Sequence, residues 1–223
     1  MLRKMTALFS LLLALGLTMS AAGQDASSVE EELPGIESAY SRLFMPDFDA
    51  MFAALETPGA DIEFDENGVV MVMTIVFTFD SEDNAANAMD TLQEGFVETS
   101  EEAEIEETEI DDLGDRALMF SGVVDETDDP LTTISLFVQD GEHVYVVTLG
   151  GGELEAGKQQ SQDIAQFMVD AEISTDEVTL DAEGGSTGGA FDLMPTAEDT
   201  DLVGGLAPTS DSNMLEDFDL ATP

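Results

Sequence analysis

Apolar and polar positions along the 223-residue chain fall into a succession of short periodic runs. The first, over residues 35–57, reads as helix in two pieces. Ile36, Tyr40, Leu43 and Phe44 recur at helical spacing, Pro46 interrupts, and Phe48, Met51, Phe52 and Leu55 resume it until Thr57-Pro58-Gly59 stops it. Ile62 and Phe64 lead into Asp65-Glu66-Asn67-Gly68, whose Asn-Gly step signals a hairpin turn. Val69 to Phe79 is the strongest strand. Met71, Met73, Ile75, Phe77 and Phe79 alternate with Val70, Val72, Thr74, Val76 and Thr78, so both faces suit a central position in a sheet.

Ser81 is a suitable N-cap for a helix from Glu82 to about Thr99, with Ala85, Met89, Leu92 and Phe96 on its buried stripe. Residues 103–110 read as an irregular acidic strand, in which Ile105 and Ile110 can share a face only through a bulge. Leu113-Gly114-Asp115 is a turn, and strands run over 117–124 and 131–138. Asp140-Gly141 forms a two-residue hairpin loop into a strand from His143 to Leu149, pairing Val138 with His143, Leu136 with Tyr145 and Ile134 with Val147. A last helix over 153–172 turns Leu154, Ile164, Ala165, Met168 and Ala171 inward.

This order predicts an α+β fold: an antiparallel sheet of about five to six strands, with the helices packed mainly on one face and the other face partly wet. Residues 35–180 form the single domain, preceded by a flexible acidic segment over 24–34. Residues 181–223 hold ten acids, no base and six glycines. They read as a disordered acidic tail, and deletion of residues 184–223 is expected to leave the melting temperature nearly unchanged.

The opening residues carry an address. Arg3 and Lys4 precede an apolar run from Ala7 to Leu17, and small residues at Ser20, Ala21, Ala22 and Gly23 follow. That is the three-part pattern of a secretory signal peptide over residues 1–23. The run is too short for an ordinary membrane span, and acids interrupt every later apolar run, so a secreted or cell-envelope protein is expected. Cleavage leaves 50 acids against Arg42, Arg116 and Lys158, a net charge of −47. Such a charge excludes nucleic acid as a partner. The absence of Cys excludes disulfides, thiolate metal sites and a lipid-anchor cysteine, and a single His leaves little general-base capacity near neutral pH.

The sequence Leu113-Gly114-Asp115-Arg116-Ala117 opens a strand that is followed by another strand, the tight turn at Gly141, a valine-rich strand and a closing helix. Over residues 60–172 this resembles small exported bacterial α/β domains of the PsbP-like and lipoprotein or sensor type, in which Leu-Gly-Asp-Glu-Ala is common. Arg116 stands where those domains carry an acid. The resemblance implies a binding or assembly module without a catalytic site, and it transfers no functional residue.

Candidate chemistry is sparse. Gly152 to Lys158 has the spacing of a phosphate-binding loop, but Gln159 occupies the magnesium-ligand position, and Glu153 and Glu155 would repel phosphate. Gly184-Gly185-Ser186-Thr187-Gly188 matches a hydrolase nucleophile turn in spacing alone, with no strand before it. His143 beside Tyr145 is a possible titrating group with an ordinary structural alternative. Glu63 to Gly68 opens like a calcium loop, yet Thr74 stands where the closing Glu belongs. Alternate carboxylates on the acidic strand, Glu102, Glu104 and Glu106, lie about 7 Å apart and could share divalent cations weakly; a solvated edge that repels other edges is the competing account. In the tail, Met214, Leu215 and Phe218 could form one face of a short helix on a partner. No cofactor is implied.

These features favour an exported, non-enzymatic binding or assembly domain for an unidentified protein or small-molecule ligand, with acidity suited to high salt. An acidic divalent-cation-binding or surface-layer-associated protein is the second expectation. A carboxylate-only hydrolase is the third, and no residue spacing supports it.

Overall fold

Strand β2 (Val69–Phe79) organises the domain, because its eleven residues alternate between two apolar faces and both are covered. The computed structural model describes residues 33–46, 68–99, 105–124, 131–173, 178–181, 184–199 and 201–215. The signal-peptide pattern, the helical spacing at 48–55, the turn at Asp65–Asn67, Glu102, Glu104 and Phe218 lie outside them. In chain order the elements are β1 (Ile36–Met45), β2, α1 (Glu82–Thr99), β3 (Ile105–Glu109), β4 (Arg116–Val124), β5 (Leu131–Asp140), β6 (His143–Gly151), α2 (Leu154–Asp170), a single 3₁₀ segment (Gly189–Leu193) and β7 (Ala207–Asn213).

The fold is α+β, as expected, with a fully antiparallel sheet in the order β3-β4-β5-β6-β2-β1-β7. Its seven strands exceed the expected number because two segments read otherwise from the sequence are strands. Residues 36–45 are β1, not helix. Its apolar residues serve both faces of the sheet, Tyr40 and Phe44 the α2 side and Ile36 and Ala39 the α1 side, so their spacing mimics a helical stripe. Part of the expected disordered tail is the outermost strand, β7, paired with β1.

The helices occupy opposite faces, which corrects the expectation of a single covered face. Ile164, Ala165 and Met168 of α2 pack on Val72, Val76, Met119, Ile134, Leu136, Val138, Tyr145 and Val147. Ala85, Ala88, Met89 and Phe96 of α1 pack on Ile75, Phe77, Phe79, Leu118, Phe120, Phe137, Val144 and Val146. These two sets alternate along each strand, as the two-residue period of a strand requires when neither face is wet. Phe96, Phe120 and Phe137 meet with ring centroids 4.8 to 5.7 Å apart on the α1 side. The same two-sided burial explains β3. Ile105 serves the α1 face and Ile110 the α2 face, so they need no bulge.

The β5–β6 loop is Gly141-Glu142, one residue on from the expected pair. Asp140 therefore faces His143, and Val138 faces Tyr145. The slip moves every pair by two positions and keeps the same residues on the same face. The Leu113-Gly114-Asp115 turn docks on this hairpin. Leu113 is buried, Asp115 N donates to Gln139 O at 2.8 Å, and Asp115 Oδ2 accepts from Gly141 N at 2.8 Å. Gly114, at φ +60°, lies so close to Gln139 O that a Cβ would approach it to 2.5 Å. Only glycine fits that backbone and that space.

Phe77 is 1% exposed beneath α1. Phe77→Asp buries an unpaired carboxylate there and is expected to abolish the cooperative thermal transition. Retention of a cooperative melt near the parental temperature would contradict the central placement of β2.

Candidate functional site

Arg42 and Asp211 are the buried charged residues among those described, and Arg42 is the centre of a dense polar constellation. It sits mid-strand in β1, flanked in register by Thr74 of β2 and Asp211 of β7. Alternation places it with Tyr40 and Phe44 toward the α2 face. There its guanidinium uses four of its five N–H groups. Nε and Nη2 donate to Asp211 Oδ1 and Oδ2 at 2.8 and 2.9 Å, the bidentate geometry that suits a carboxylate. Nη1 donates to Pro195 O at 2.9 Å and Nη2 to Ser186 O at 2.7 Å. The Phe191 ring lies 5.4 Å from Arg42 Cζ and itself packs on Tyr40 at 4.9 Å. Both side chains of the pair are at most 2% exposed.

The second carboxylate oxygen is shared. Ser186 N donates to Asp211 Oδ2 at 2.8 Å. The Ser186 hydroxyl donates to Asp181 O and accepts from Asp181 N, so the residue at the centre of the nucleophile-like Gly-Ser-Gly spacing is a turn-closing group. Through these contacts Arg42 gathers three separate parts of the segment 184–215, here termed the strap. The strap also supplies Phe191, Leu193, Met194, Val203 and Leu206 to the α2-side core. The disordered-tail expectation is therefore wrong over the strap. Glycine and acid content concealed an apolar set whose periodicity is irregular because it follows turns and a 3₁₀ segment.

The residues singled out from sequence are not brought together. Glu106 lies exposed on β3, 3.9 Å from Lys158 Nζ, which also pairs with Glu155 at 3.1 Å. No group of three or more His, Asp or Glu among the described residues is placed to hold a metal ion. Met214 and Leu215 are half-buried and pack against the α1-side core, so in this arrangement their apolar surface meets their own chain. His143 is half-buried, with Nδ1 enclosed and without a hydrogen-bond partner. Burial lowers its pKa from 6.5, against the raising effect of Glu142 and Asp140. Tyr145 is pushed up to about 12 by burial and by Asp140. Gly152 and Lys158 flank an ordinary helix start, with Glu153 at the N-cap making no side-chain cap bond.

Arg116 ties β4 to α1 through Asp90 and, at 2.8 Å, through Gln93 Oε1. All three cations left after the signal pattern are thus paired with carboxylates of the same chain. Open clefts are lined by the described residues. One, of about 590 Å³, runs between α2 and the strap, lined by Ala156, Gln159, Gln160, Asp163, Asp201 and Leu202. Another, of about 530 Å³, lies between α1 and β3, lined by Asp90, Gln93, Glu94, Val97 and Glu107. Both carry acids and amides. No helix among the described residues is long and apolar enough to cross a membrane. Comparison of the chain with protein-family models, with curated proteins and with solved structures gives no match.

Asp211→Asn keeps the shape but removes the charge that balances Arg42. It is expected to cost about 3 kcal/mol or more, because one buried ion is left uncompensated. Deletion of residues 184–223 is expected to lower the melting temperature further still, since it also uncovers the α2-side core. Denaturant and thermal unfolding measure both. A deletion that melts like the parent would restore the dispensable-tail account.

Proposed function

We propose that this chain is an exported, non-enzymatic binding or assembly domain with a surface suited to high salt. The observation that carries the proposal is the fate of its cations. Arg42, Arg116 and Lys158 are each paired with carboxylates of their own chain, so the remaining charge offered to a partner is carboxylate. A surface of that kind attracts basic or cation-bridged partners and repels nucleic acid and other acidic molecules. High ionic strength relieves its self-repulsion, since the screening length falls from about 10 Å at 0.1 M to about 3 Å at 1 M. The resemblance of residues 60–172 to PsbP-like and sensor domains supports a binding or assembly role, and the signal pattern at residues 1–23 supports export.

The cation-binding alternative draws on the exposed carboxylates of β3. It differs from the first reading in requiring ion-specific rather than general salt effects. The test is thermal unfolding of the protein in dilute buffer, in molar NaCl, and in millimolar CaCl2 beside NaCl of equal ionic strength. The expected outcome is stabilisation by molar NaCl, with the calcium and matched sodium curves superimposed. A saturable shift specific to calcium would overturn the high-salt reading in favour of carboxylate sites.

A further inference from the structure

The strap carries five acids and no base over residues 184–215, and it lies on a body that is itself strongly acidic. At its boundary Asp201 of the strap and Asp163 of α2 line the same open cleft, whose described lining holds no cationic side chain to offset their repulsion, and Gln159 Nε2 is committed to Asp163 Oδ1 at 2.9 Å. Against this repulsion stand the apolar anchors, the pairing of β7 with β1 and the Arg42–Asp211 ion pair. These opposing terms respond differently to salt. The buried pair is screened weakly, whereas repulsion between exposed charges several ångströms apart is screened strongly.

β7 is also the outermost strand, hydrogen-bonded within the described sheet on one side only, while β2, β5 and β6 are paired on both. Elements with few partners open locally at a lower free energy than the whole domain. We propose that the strap is a salt-controlled flap: low ionic strength favours its opening as a local unit, and high ionic strength closes it, while the sheet from β3 to β1 and both helices stay folded. Opening uncovers the outer edge of β1, the Arg42 guanidinium and the apolar floor around Phe44. Ionic strength therefore governs access to an unpaired strand edge beside a carboxylate-binding cation. The inference rests on the charge distribution and the strap's attachment, and is independent of the partner's identity.

Native-state hydrogen exchange of the full-length protein, compared in about 0.05 M and about 2 M NaCl, tests it. Protection of the β7 amides is expected to rise by roughly tenfold more than that of the β5 and β6 amides. The double variant Glu198→Gln/Asp201→Asn removes two exposed strap charges and leaves the Arg42 contacts intact. It is expected to show a smaller difference between strap and core. A parallel change in strap and core, no change in the strap, or an undiminished difference in the double variant would each overturn the proposal. Calcium specificity does not enter these outcomes, so failure here is distinguishable from failure of the high-salt reading.

Discussion

A guanidinium that is almost wholly removed from water is tolerable only when its charge is balanced and its N–H groups are occupied, and this constraint shapes the outer third of the molecule. Arg42 cannot be satisfied within β1 and β2, whose backbone groups are engaged in their own ladder. Its partners come from more than a hundred residues downstream: Ser186 O, Pro195 O and the Asp211 carboxylate. Meeting them sets β7 in register on β1, holds the 3₁₀ segment with Phe191 over the guanidinium, and closes the α2-side core with Leu193, Met194, Val203 and Leu206. Such a pair adds little stability over an apolar replacement, but removing one member is costly. It sets Asp211 opposite Arg42 in a polar strand that has no apolar stripe to choose a register.

The rest of the architecture follows from a sheet buried on both sides. Strands β2, β4, β5 and β6 each supply apolar residues to two cores, and the helices that follow β2 and β6 cover one core each. Among the described residues the exposed acids lie mainly on helix surfaces, in turns, on the strap and on the β3 edge. There their mutual repulsion weakens compaction and also discourages edge-to-edge pairing. The Leu113-Gly114-Asp115 turn that motivated the family resemblance has a structural account in this chain, since each of its residues is used to seat the β5–β6 hairpin.

What could be read from the sequence was whatever obeyed one clear period. The alternation of β2, the stripes of α1 and α2, and the β4–β6 strands were legible because each buries a regular face. Strand β1 was not, since it sends apolar residues to both faces, and Tyr40, Leu43 and Phe44 then fall at helical spacing. Nor was β7, where Ala-Pro-Thr-Ser-Asp-Ser-Asn has the polar, proline-bearing composition of an edge strand and of a loop alike. Covering on both faces was hidden by the hairpins, which are compatible with one wet side. The Arg42 centre had a faint signal: a lone cation beside Leu43 and Phe44 in a chain with three such cations after residue 23. Its partner had none, because one buried Asp among 50 acids looks like any other until register places it opposite Arg42.

The central claim is that Arg42 and Asp211 act as one unit joining the strap to the domain. A double-mutant cycle tests it most directly, with Arg42→Met, Asp211→Leu and the combined variant compared by denaturant unfolding. Each single change strands a buried charge, whereas the double change removes both, so the account predicts a coupling of about 2–3 kcal/mol, with the double variant more stable than the sum of its parts implies. Strictly additive effects, with coupling near zero, would contradict it.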